Sequence, residues 1–216
     1  MKRLFFLISA SLILVSCAQT QNTSAELKIP VGSKKKSANE AVATFAEGCF
    51  WHTEIIFQSL EGVRDAVSGY AGGSVDNPDY EKVGTGETGH AESVNVYYDP
   101  SKISFETLVK AFFASHDPTQ LNRQGNDEGP QYRSIAFYRN DSEKKIIEAE
   151  IKKLAESKKY SAKIVTEVKP FTKFYEAEDY HQEYVSQHPN QAYVRNVSIR
   201  DYEEFRKEFK GARFKL

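Results

Sequence analysis

Cys49 is the residue of this sequence with the clearest chemical potential. It lies in the segment Gly48-Cys49-Phe50-Trp51, where a predicted strand passes into a predicted helix. The only other cysteine, Cys17, closes an N-terminal apolar run, so the predicted folded domain holds a single thiol. A thiol at a helix N-terminus is favoured as the thiolate, because the helix dipole and free N–H groups stabilise negative charge. We therefore expect a nucleophile, although a lone cysteine is often a buried and inert side chain.

Glu92 is the candidate acid. The segment 90–98 alternates in the manner of a strand, so Glu92 shares a face with Val94, Val96 and Tyr98. A carboxyl group on a core-facing position loses solvation, which raises its pKa and lets it stay protonated near neutrality. That is the state a general acid requires. The alternative is a glutamate at the exposed end of the strand.

A long loop at 116–131, rich in Gly, Asn and Pro, holds Asp127 and leads into Tyr132. Long ordered loops are often functional, although each residue alone is more typical of a turn or of packing. The segment 84–89 matches GxGxxG, but a strand follows it where a dinucleotide site needs a helix. The five histidines show no metal-ligand spacing, so we predict no metal site.

The elements that must position these residues follow from periodicity. We predict strands at 41–46, 63–70, 90–98, 133–138 and 163–168, and helices at 51–60, 105–115 and 142–156. This order predicts an α/β (α+β) fold, a two-layer plait built on a ferredoxin-like βαββαβ core with helices on one face. The segment from 171 onward is aromatic and charged, and its pattern supports no assignment.

The N-terminus predicts export. Lys2 and Arg3 precede the apolar run Leu4–Val15, which is too short to span a bilayer comfortably. A small residue directly before Cys17 resembles the bacterial lipoprotein signal, in which the cysteine is acylated; an ordinary secretory signal is the alternative. We predict a signal peptide at 1–16, a lipidated flexible tether at 17–40 and a folded domain at 41–216.

This organisation predicts a protein of the bacterial cell envelope, on the outer membrane or the periplasmic face, which contacts the membrane through its lipid anchor only. The formal net charge of the 216 residues is -1, so there is no electrostatic case for a nucleic-acid partner. We expect a monomer.

A set of short motifs runs in order between residues 42 and 185 and resembles the A-type peptide methionine sulfoxide reductases. One motif would be weak, whereas the ordered set is very specific. The family's fold is a two-layer plait with an irregular C-terminal wrap. The motifs are Gly48-Cys49-Phe50-Trp51, Gly69-Tyr70-Ala71-Gly72-Gly73, Asn77-Pro78-Asp79-Tyr80, Gly89-His90-Ala91-Glu92, Tyr98-Asp99-Pro100, His116-Asp117-Pro118-Thr119, Asn122-Arg123-Gln124-Gly125-Asn126-Asp127, Gln131-Tyr132-Arg133-Ser134 and Phe174-Tyr175-Glu176-Ala177-Glu178-Asp179-Tyr180-His181.

The resemblance implies a role for each candidate residue. Cys49 would attack the sulfoxide sulfur of methionine sulfoxide, free or in oxidised proteins and peptides, and Glu92 would protonate the departing oxygen. The hydroxyl groups of Tyr80 and Tyr132 would bind that oxygen. Asp127 would order the site and its water. Phe50 and Trp51 would enclose the substrate methyl group, and the pocket would select the S epimer.

The resemblance also implies a thioredoxin-like thiol carrier as reductant and no cofactor. Many family members use a second cysteine near the C-terminus to resolve the sulfenic acid, but no cysteine follows Phe50 here. We therefore expect a one-cysteine mechanism in which an external thiol reduces the Cys49 sulfenic acid.

Two alternatives stay open at this stage. A cysteine hydrolase or acyltransferase would need a histidine base within reach of Cys49, and His52 is the nearest in sequence. A non-catalytic envelope lipoprotein could retain the fold as a binding module.

Overall fold

A computed structural model describes residues 29–33, 35–36 and 38–215. The predicted signal peptide at 1–16, the predicted lipidation site Cys17 and the first part of the predicted tether lie outside the described residues. Across the described ranges, no helix combines the length and the apolar character that a membrane crossing requires.

The centre of the fold is a six-stranded sheet with the strand order β7-β6-β1-β3-β2-β8. Each of the inner strands β6-β1-β3-β2 is antiparallel to its neighbours, as is the edge strand β8, whereas the edge strand β7 runs parallel to β6. In chain order the inner strands are the fourth, first, third and second of the core, so the predicted ferredoxin-like plait is confirmed. The strands are β1 Ala41–Ala46, β2 Val63–Ala71, β3 Ala91–Tyr98, β4 Arg123–Gln124, β5 Asp127–Glu128, β6 Ile135–Tyr138, β7 Glu167–Pro170 and β8 Phe174–Glu176.

Helices form the second layer. Ile56 of α1 and Phe112 of α3 share one buried apolar cluster with Phe45 and Val94 of the sheet, which places both helices on the same face. Ser104 begins α3 as predicted, its hydroxyl accepting the backbone N–H of Thr107 at 3.1 Å. The helices are α1 Phe50–Gln58, α2 Tyr80–Gly84, α3 Phe105–Ser115, α4 Asp141–Glu156, α5 Tyr184–Gln187 and α6 Arg200–Glu208, with 3-10 turns at Pro130–Tyr132 and Asp179–His181 and a π-helix at Val194–Ile199.

The strand β3 is buried on both faces. Val94 and Val96 lie in the main core, as the alternation predicted. Ala91 on the other face belongs to a second apolar cluster, which Phe171 and Phe174 from the later part of the chain help to cover. Central position in the sheet therefore makes β3 a rigid base for any side chain that it carries.

The prediction of a strand at 163–168 was wrong in position. The strand β7 begins at Glu167, which pairs with Ile135 of β6. The apolar residues before it are used differently: Ile164 packs against the main core, and the N–H of Val165 donates to the carbonyl of Pro118 at 2.8 Å. Tertiary contacts rather than sheet pairing explain the apolar character of that segment.

Short elements of regular structure occur outside the predicted strands and helices. The helix α2 lies between β2 and β3, and its first turn is capped by the Asp79 side chain, which accepts the backbone N–H of Lys82 at 2.9 Å. The strands β4 and β5 form a short hairpin within 116–131. Both elements are too short to produce a periodic sequence signal.

The C-terminal segment wraps around the sheet and the helix α1. The strand β8 pairs with β2, and Tyr202 and Phe205 of α6 are buried in the main core. The chain then returns to the end of α1, where Phe214 forms a bridge with Leu60. The resemblance implied such a wrap, whereas local periodicity did not reveal its elements.

Residues 29–33, within the segment predicted as a tether, lie against the domain. Ile29 packs on the main core, and the N–H of Gly32 donates to Glu183 at 2.9 Å. The N–H of Ser33 donates to the carbonyl of Arg64 at 3.1 Å.

Candidate active site

Cys49 lies at the turn between β1 and α1, as predicted. Gly48 has a φ of 112°, a conformation that glycine adopts without strain, and a Cβ atom there would meet the Cβ of Gln124 at 2.8 Å. The Cys49 carbonyl accepts the N–H groups of His52 at 3.1 Å and Thr53 at 3.2 Å, and these bonds form the first turn of α1. The sulfur therefore stands at the N-terminus of α1 on a sharply turned backbone.

Glu92 projects from β3 toward the same turn. Its side chain is 3% exposed, and its Oε2 accepts the backbone N–H of Phe50 at 3.0 Å. Burial raises the pKa of Glu92 to about 8, and the hydrogen bond from Phe50 only partly offsets the loss of solvation. The prediction of a core-facing carboxyl with a raised pKa is confirmed, and the alternative of an exposed strand end is wrong. At neutral pH most Glu92 side chains carry the proton.

The expectation of a thiolate-favouring environment at Cys49 was wrong for the unliganded site. Burial raises the pKa of the Cys49 thiol well above its ordinary value, and the nearby carboxylates of Glu92 and Asp127 raise it further. The Trp51 N–H and the Tyr193 hydroxyl oppose this rise by hydrogen bonding to the sulfur, but desolvation is the larger effect. When Glu92 is protonated its Coulombic contribution disappears, so the proton on Glu92 itself makes the thiolate less costly.

Tyr80 and Tyr132 reach the site from two separate segments. Tyr80 begins α2, and its N–H donates to Glu178 at 3.0 Å. Burial, followed by the charges of Glu92 and Cys49, raises the pKa of Tyr80 to about 12, and the same causes raise the pKa of Tyr132. Because the charges of Glu92 and Cys49 act on both hydroxyl groups, both lie in the neighbourhood of the sulfur and the carboxyl. The raised pKa keeps both hydroxyls protonated, so they can donate hydrogen bonds.

Asp127 is held by a residue that the sequence did not reveal. Its Oδ2 accepts the hydroxyl of Tyr193 at 2.5 Å. Tyr193 also lies beside Cys49, and burial, followed by the charge of Cys49, raises the pKa of its hydroxyl. The tyrosine therefore links the predicted carboxylate to the predicted nucleophile.

The predicted aromatic wall is present and is completed by the C-terminal segment. Phe50 is buried, with its ring centroid 6.3 Å from that of Tyr80 and 4.9 Å from that of His181. The half-buried Trp51 stacks on Tyr184 at 3.8 Å between centroids. The Trp51 Nε1–H donates to Nδ1 of His181 at 3.1 Å, which orients the indole and defines the imidazole tautomer.

His52 does not serve as a base for Cys49. Its Nε2 lies 3.3 Å from the carbonyl oxygen of Ser115, and burial lowers its pKa. Among the described residues, no histidine hydrogen-bonds to the Cys49 sulfur. The acyl-transfer alternative lacks its defining geometry, a nucleophile and base within hydrogen-bond reach.

Local sequence reasoning missed the three aromatic residues that the wrap supplies, namely His181, Tyr184 and Tyr193. The first was visible only within a family-like motif and the other two within none. Their contacts with Trp51, Phe50 and Asp127 span long separations along the chain. An abundance of aromatic residues after 171 was the one available signal, and it does not tell a site from a core.

Comparison with known proteins agrees with this geometry. The family model described as peptide methionine sulfoxide reductase matches residues 41–213. The peptide methionine sulfoxide reductase MsrA 1 of Rhodopirellula baltica is 51% identical over 175 residues, which cover 81% of this chain and 90% of the relative. The crystal structure of Mxr1 from Saccharomyces cerevisiae in reduced form aligns with a TM-score of 0.67 at 34% identity, over 76% of this chain and 94% of that one. Mxr1 in complex with Trx2 aligns with a TM-score of 0.50 at 26% identity, over 73% and 94%.

Proposed function

The chain belongs to the peptide methionine sulfoxide reductase family, and we propose that it reduces the S epimer of methionine sulfoxide through a Cys49 sulfenic acid that an external thiol then reduces. The reduction of methionine sulfoxide follows from the family. The epimer, the one-cysteine cycle and the residue roles are the proposal. The observation that carries it is the buried carboxyl of Glu92, which accepts the Phe50 N–H at 3.0 Å at the helix start that presents Cys49. Burial raises the pKa of this carboxyl to about 8.

The first step couples nucleophile and acid. A sulfoxide sulfur is a poor electrophile until its oxygen gains a proton, so the Glu92 proton passes to that oxygen as Cys49 attacks the sulfur. The thiol proton of Cys49 replaces the one that Glu92 gave. This step releases methionine and leaves Cys49 as its sulfenic acid. One oxygen atom therefore moves from the substrate to the cysteine.

The surrounding hydroxyls supply binding and orientation. In the proposal the phenols of Tyr80 and Tyr132 donate to the sulfoxide oxygen, where negative charge is largest, and Asp127 is oriented by Tyr193. Phe50 and Trp51 contact the methyl group. A pocket with the methyl group, the oxygen and the peptide chain in separate places distinguishes the two epimers, because the other epimer must misplace at least two of these three groups.

The second half of the cycle needs an outside thiol. One thiol condenses with the sulfenic acid to give a mixed disulfide and water, and a second thiol releases reduced Cys49 and a free disulfide. Cys49 is the free cysteine of the described residues. A thioredoxin-like protein fits this requirement, and the Mxr1 complex with Trx2 supports a carrier of that kind.

The decisive test is an epimer assay. Purified domain is given the separated S and R epimers of a methionine sulfoxide peptide with dithiothreitol. Reduction of the S epimer alone supports the proposal, whereas no turnover of either epimer contradicts it. Omitting the reductant and labelling with a sulfenic-acid probe tests the one-cysteine cycle, since an intramolecular disulfide in the processed protein would contradict it.

We further propose that the protein is a lipid-anchored monomer of the cell envelope that repairs oxidised envelope proteins. The support is the apolar run that ends at Cys17 with basic residues before it. Metabolic labelling with palmitate compares the natural protein with a Cys17→Ser variant. If the variant loses both the palmitate label and its association with the membrane, the lipid anchor is supported. Unchanged membrane association of the variant contradicts it.

A further inference from the structure

A second approach to Cys49 exists on a side of the sulfur that the aromatic wall does not line. It is a cavity of about 420 Å³, a volume typical of small-ligand sites. Its walls include Glu47, Gln124, Asn126 and Asn196 together with Cys49 itself. We call it the Glu47 cavity. Asp127 and Tyr193 also border this cavity, and both influence the pKa of the Cys49 thiol.

The inner end of the Glu47 cavity holds a polar atom without a partner. Glu47 is fully buried, and its Oε1 has no hydrogen-bond partner among the described residues. Its other oxygen, Oε2, lies 2.9 Å from the hydroxyl of Ser115, which is also 2.9 Å from the carbonyl oxygen of Phe112. Burial raises the pKa of Glu47 well above its ordinary value. The Ser115 hydroxyl donates to Oε2, so the proton of the neutral carboxyl belongs on Oε1.

This arrangement leaves the Oε1 hydroxyl of Glu47 without an acceptor. Buried polar atoms normally have partners, so an unpaired polar group on the wall of a cavity indicates that a polar ligand binds there. Cys49, two residues further along the chain, lines the same cavity. A thiol or thiolate sulfur can accept a hydrogen bond of this kind.

We propose that the Glu47 cavity is the entry path and binding site for the thiol that reduces oxidised Cys49. The inference rests on the proposed function, which creates the sulfenic acid that needs a reductant. The oxygen of that sulfenic acid comes from the substrate and therefore points toward Glu92 and the tyrosines. Attack on a divalent sulfur proceeds opposite the departing group, so the incoming thiol needs access from another side.

The step balances without a further reagent. The incoming thiol first gives its proton to the medium, and its thiolate sulfur then bonds to the Cys49 sulfur as the S–O bond breaks. Glu92 passes one proton to the departing hydroxide, which leaves as water, and regains one proton from the medium. A second thiol then attacks the mixed disulfide, and the disulfide of the reductant leaves through the same opening.

The rim of the cavity indicates what surrounds the reacting thiol. Asn126 and Asn196 place exposed amides there. Arg200 is paired with Asp201 through Nε and Nη2, which leaves further guanidinium N–H groups free to donate. Amides and a guanidinium suit the carbonyl and carboxylate groups of a peptide thiol. The same chemistry comes from a small cysteine peptide or from the segment around the reactive cysteine of a carrier protein.

The test blocks the mouth of the Glu47 cavity by a substitution that leaves the proposed catalytic residues unchanged. Asn196→Trp places a large side chain at the mouth, and Ser101→Trp does the same in a groove beside Lys102 and Thr107 that does not reach Cys49. Each protein is first oxidised at Cys49 with methionine sulfoxide peptide. The loss of sulfenic acid is then followed with glutathione in one arm and with thioredoxin in the other.

We expect Asn196→Trp to slow the reduction by about tenfold or more in at least one arm, because access limits thiol attack. The single-turnover formation of methionine and the KM for the peptide should match those of Ser101→Trp. The arm that slows identifies the source of the thiol. Unchanged reduction in both arms overturns the proposal, as does a raised KM for the sulfoxide peptide, which would make the cavity part of the substrate site. A parent protein that forms no methionine in the first turnover contradicts the proposed function instead.

Discussion

The hydroxyl of Tyr193 donates to Oδ2 of Asp127 across 66 positions of the chain, at 2.5 Å. The same tyrosine lies beside Cys49 and influences the pKa of its thiol. The π-helix that begins at Val194 follows this tyrosine directly, so the C-terminal wrap delivers a side chain into the site rather than merely covering it. Asp127 is thereby restrained by the C-terminal wrap.

Replacing Tyr193 with phenylalanine should lower the single-turnover rate of methionine formation by about tenfold. The variant keeps the ring but removes the hydroxyl that donates to Asp127 beside Cys49, and hydrogen bonds to charged groups contribute about 1.5–3 kcal/mol. The rate is measured by rapid quench without reductant. Tyr138→Phe, at the end of β6, is the matched control and should behave like the parent. Equal rates for Tyr193→Phe and the control would show that the hydroxyl plays no part.

Reduction should slow as the pH rises through about 8. Burial raises the pKa of Glu92 to that value, and only the protonated form can donate to the sulfoxide oxygen. The single-turnover rate is therefore expected to be highest on the acid side of pH 8 and to fall above it. Measuring the single-turnover rate from pH 6 to pH 10 at saturating substrate isolates this fall in rate, which we call the alkaline limb.

The Glu92→Gln variant tests the origin of that limb. Glutamine keeps the acceptor oxygen for the Phe50 N–H but cannot give up a proton, so the rate should fall by about 10²–10⁴-fold and the limb should vanish. Glu156→Gln, at the exposed end of α4, is the control. If Glu92→Gln is slow but its rate still falls above pH 8, the titrating group is a residue other than Glu92.

Stability should decline as the pH rises from about 5 to 8, in part because of Glu54. Its carboxyl is buried, accepts the hydroxyl of Ser68 and the N–H of Glu183, and has its pKa raised by burial to about 8. In the unfolded chain the group ionises at its ordinary, lower pKa. The folded protein binds the Glu54 proton more tightly than the unfolded chain does, and this difference stabilises the fold. The stabilisation is complete below the lower, unfolded pKa and is lost as the pH approaches 8.

Glu54→Gln should flatten this dependence. An amide can occupy the same place without ionising, so the free energy of unfolding should change less between pH 5 and pH 8 than in the parent. Urea titrations at both pH values measure the difference, with the exposed Glu156→Gln again as control. Parallel pH profiles for Glu54→Gln and the parent would contradict the assignment.

Gly48→Ala should damage both stability and activity. The φ of 112° is strained for alanine, and the new Cβ would meet Gln124 at 2.8 Å. Substitutions at such positions destabilise by more than about 1 kcal/mol. Since Gly48 directly precedes the nucleophile, the single-turnover rate should fall as well. Gly84→Ala is the matched control because a Cβ there has nothing within 4 Å, and it should leave both quantities near the parent values.

Sequence reasoning located the strand-to-helix turn at Cys49 and the inward face of Glu92, because both depend on residues close together in the chain. Glycine before a helix start and two-residue alternation are local signals. The same reasoning misjudged the ionisation of Cys49. A helix N-terminus is visible in sequence, but the desolvation that outweighs it comes from distant segments that cover the sulfur.

Hydrophobic periodicity and a lone thiol in an ordered set of motifs were enough to predict the plait and the principal chemical groups, because they require no tertiary information. The side chains that complete the site became visible only in the folded structure. Tyr193 and His181 depend on burial and on contacts with partners that folding brings together. Such contacts leave no periodic trace, since they depend on the path of the C-terminal wrap and on the shape of the space it encloses.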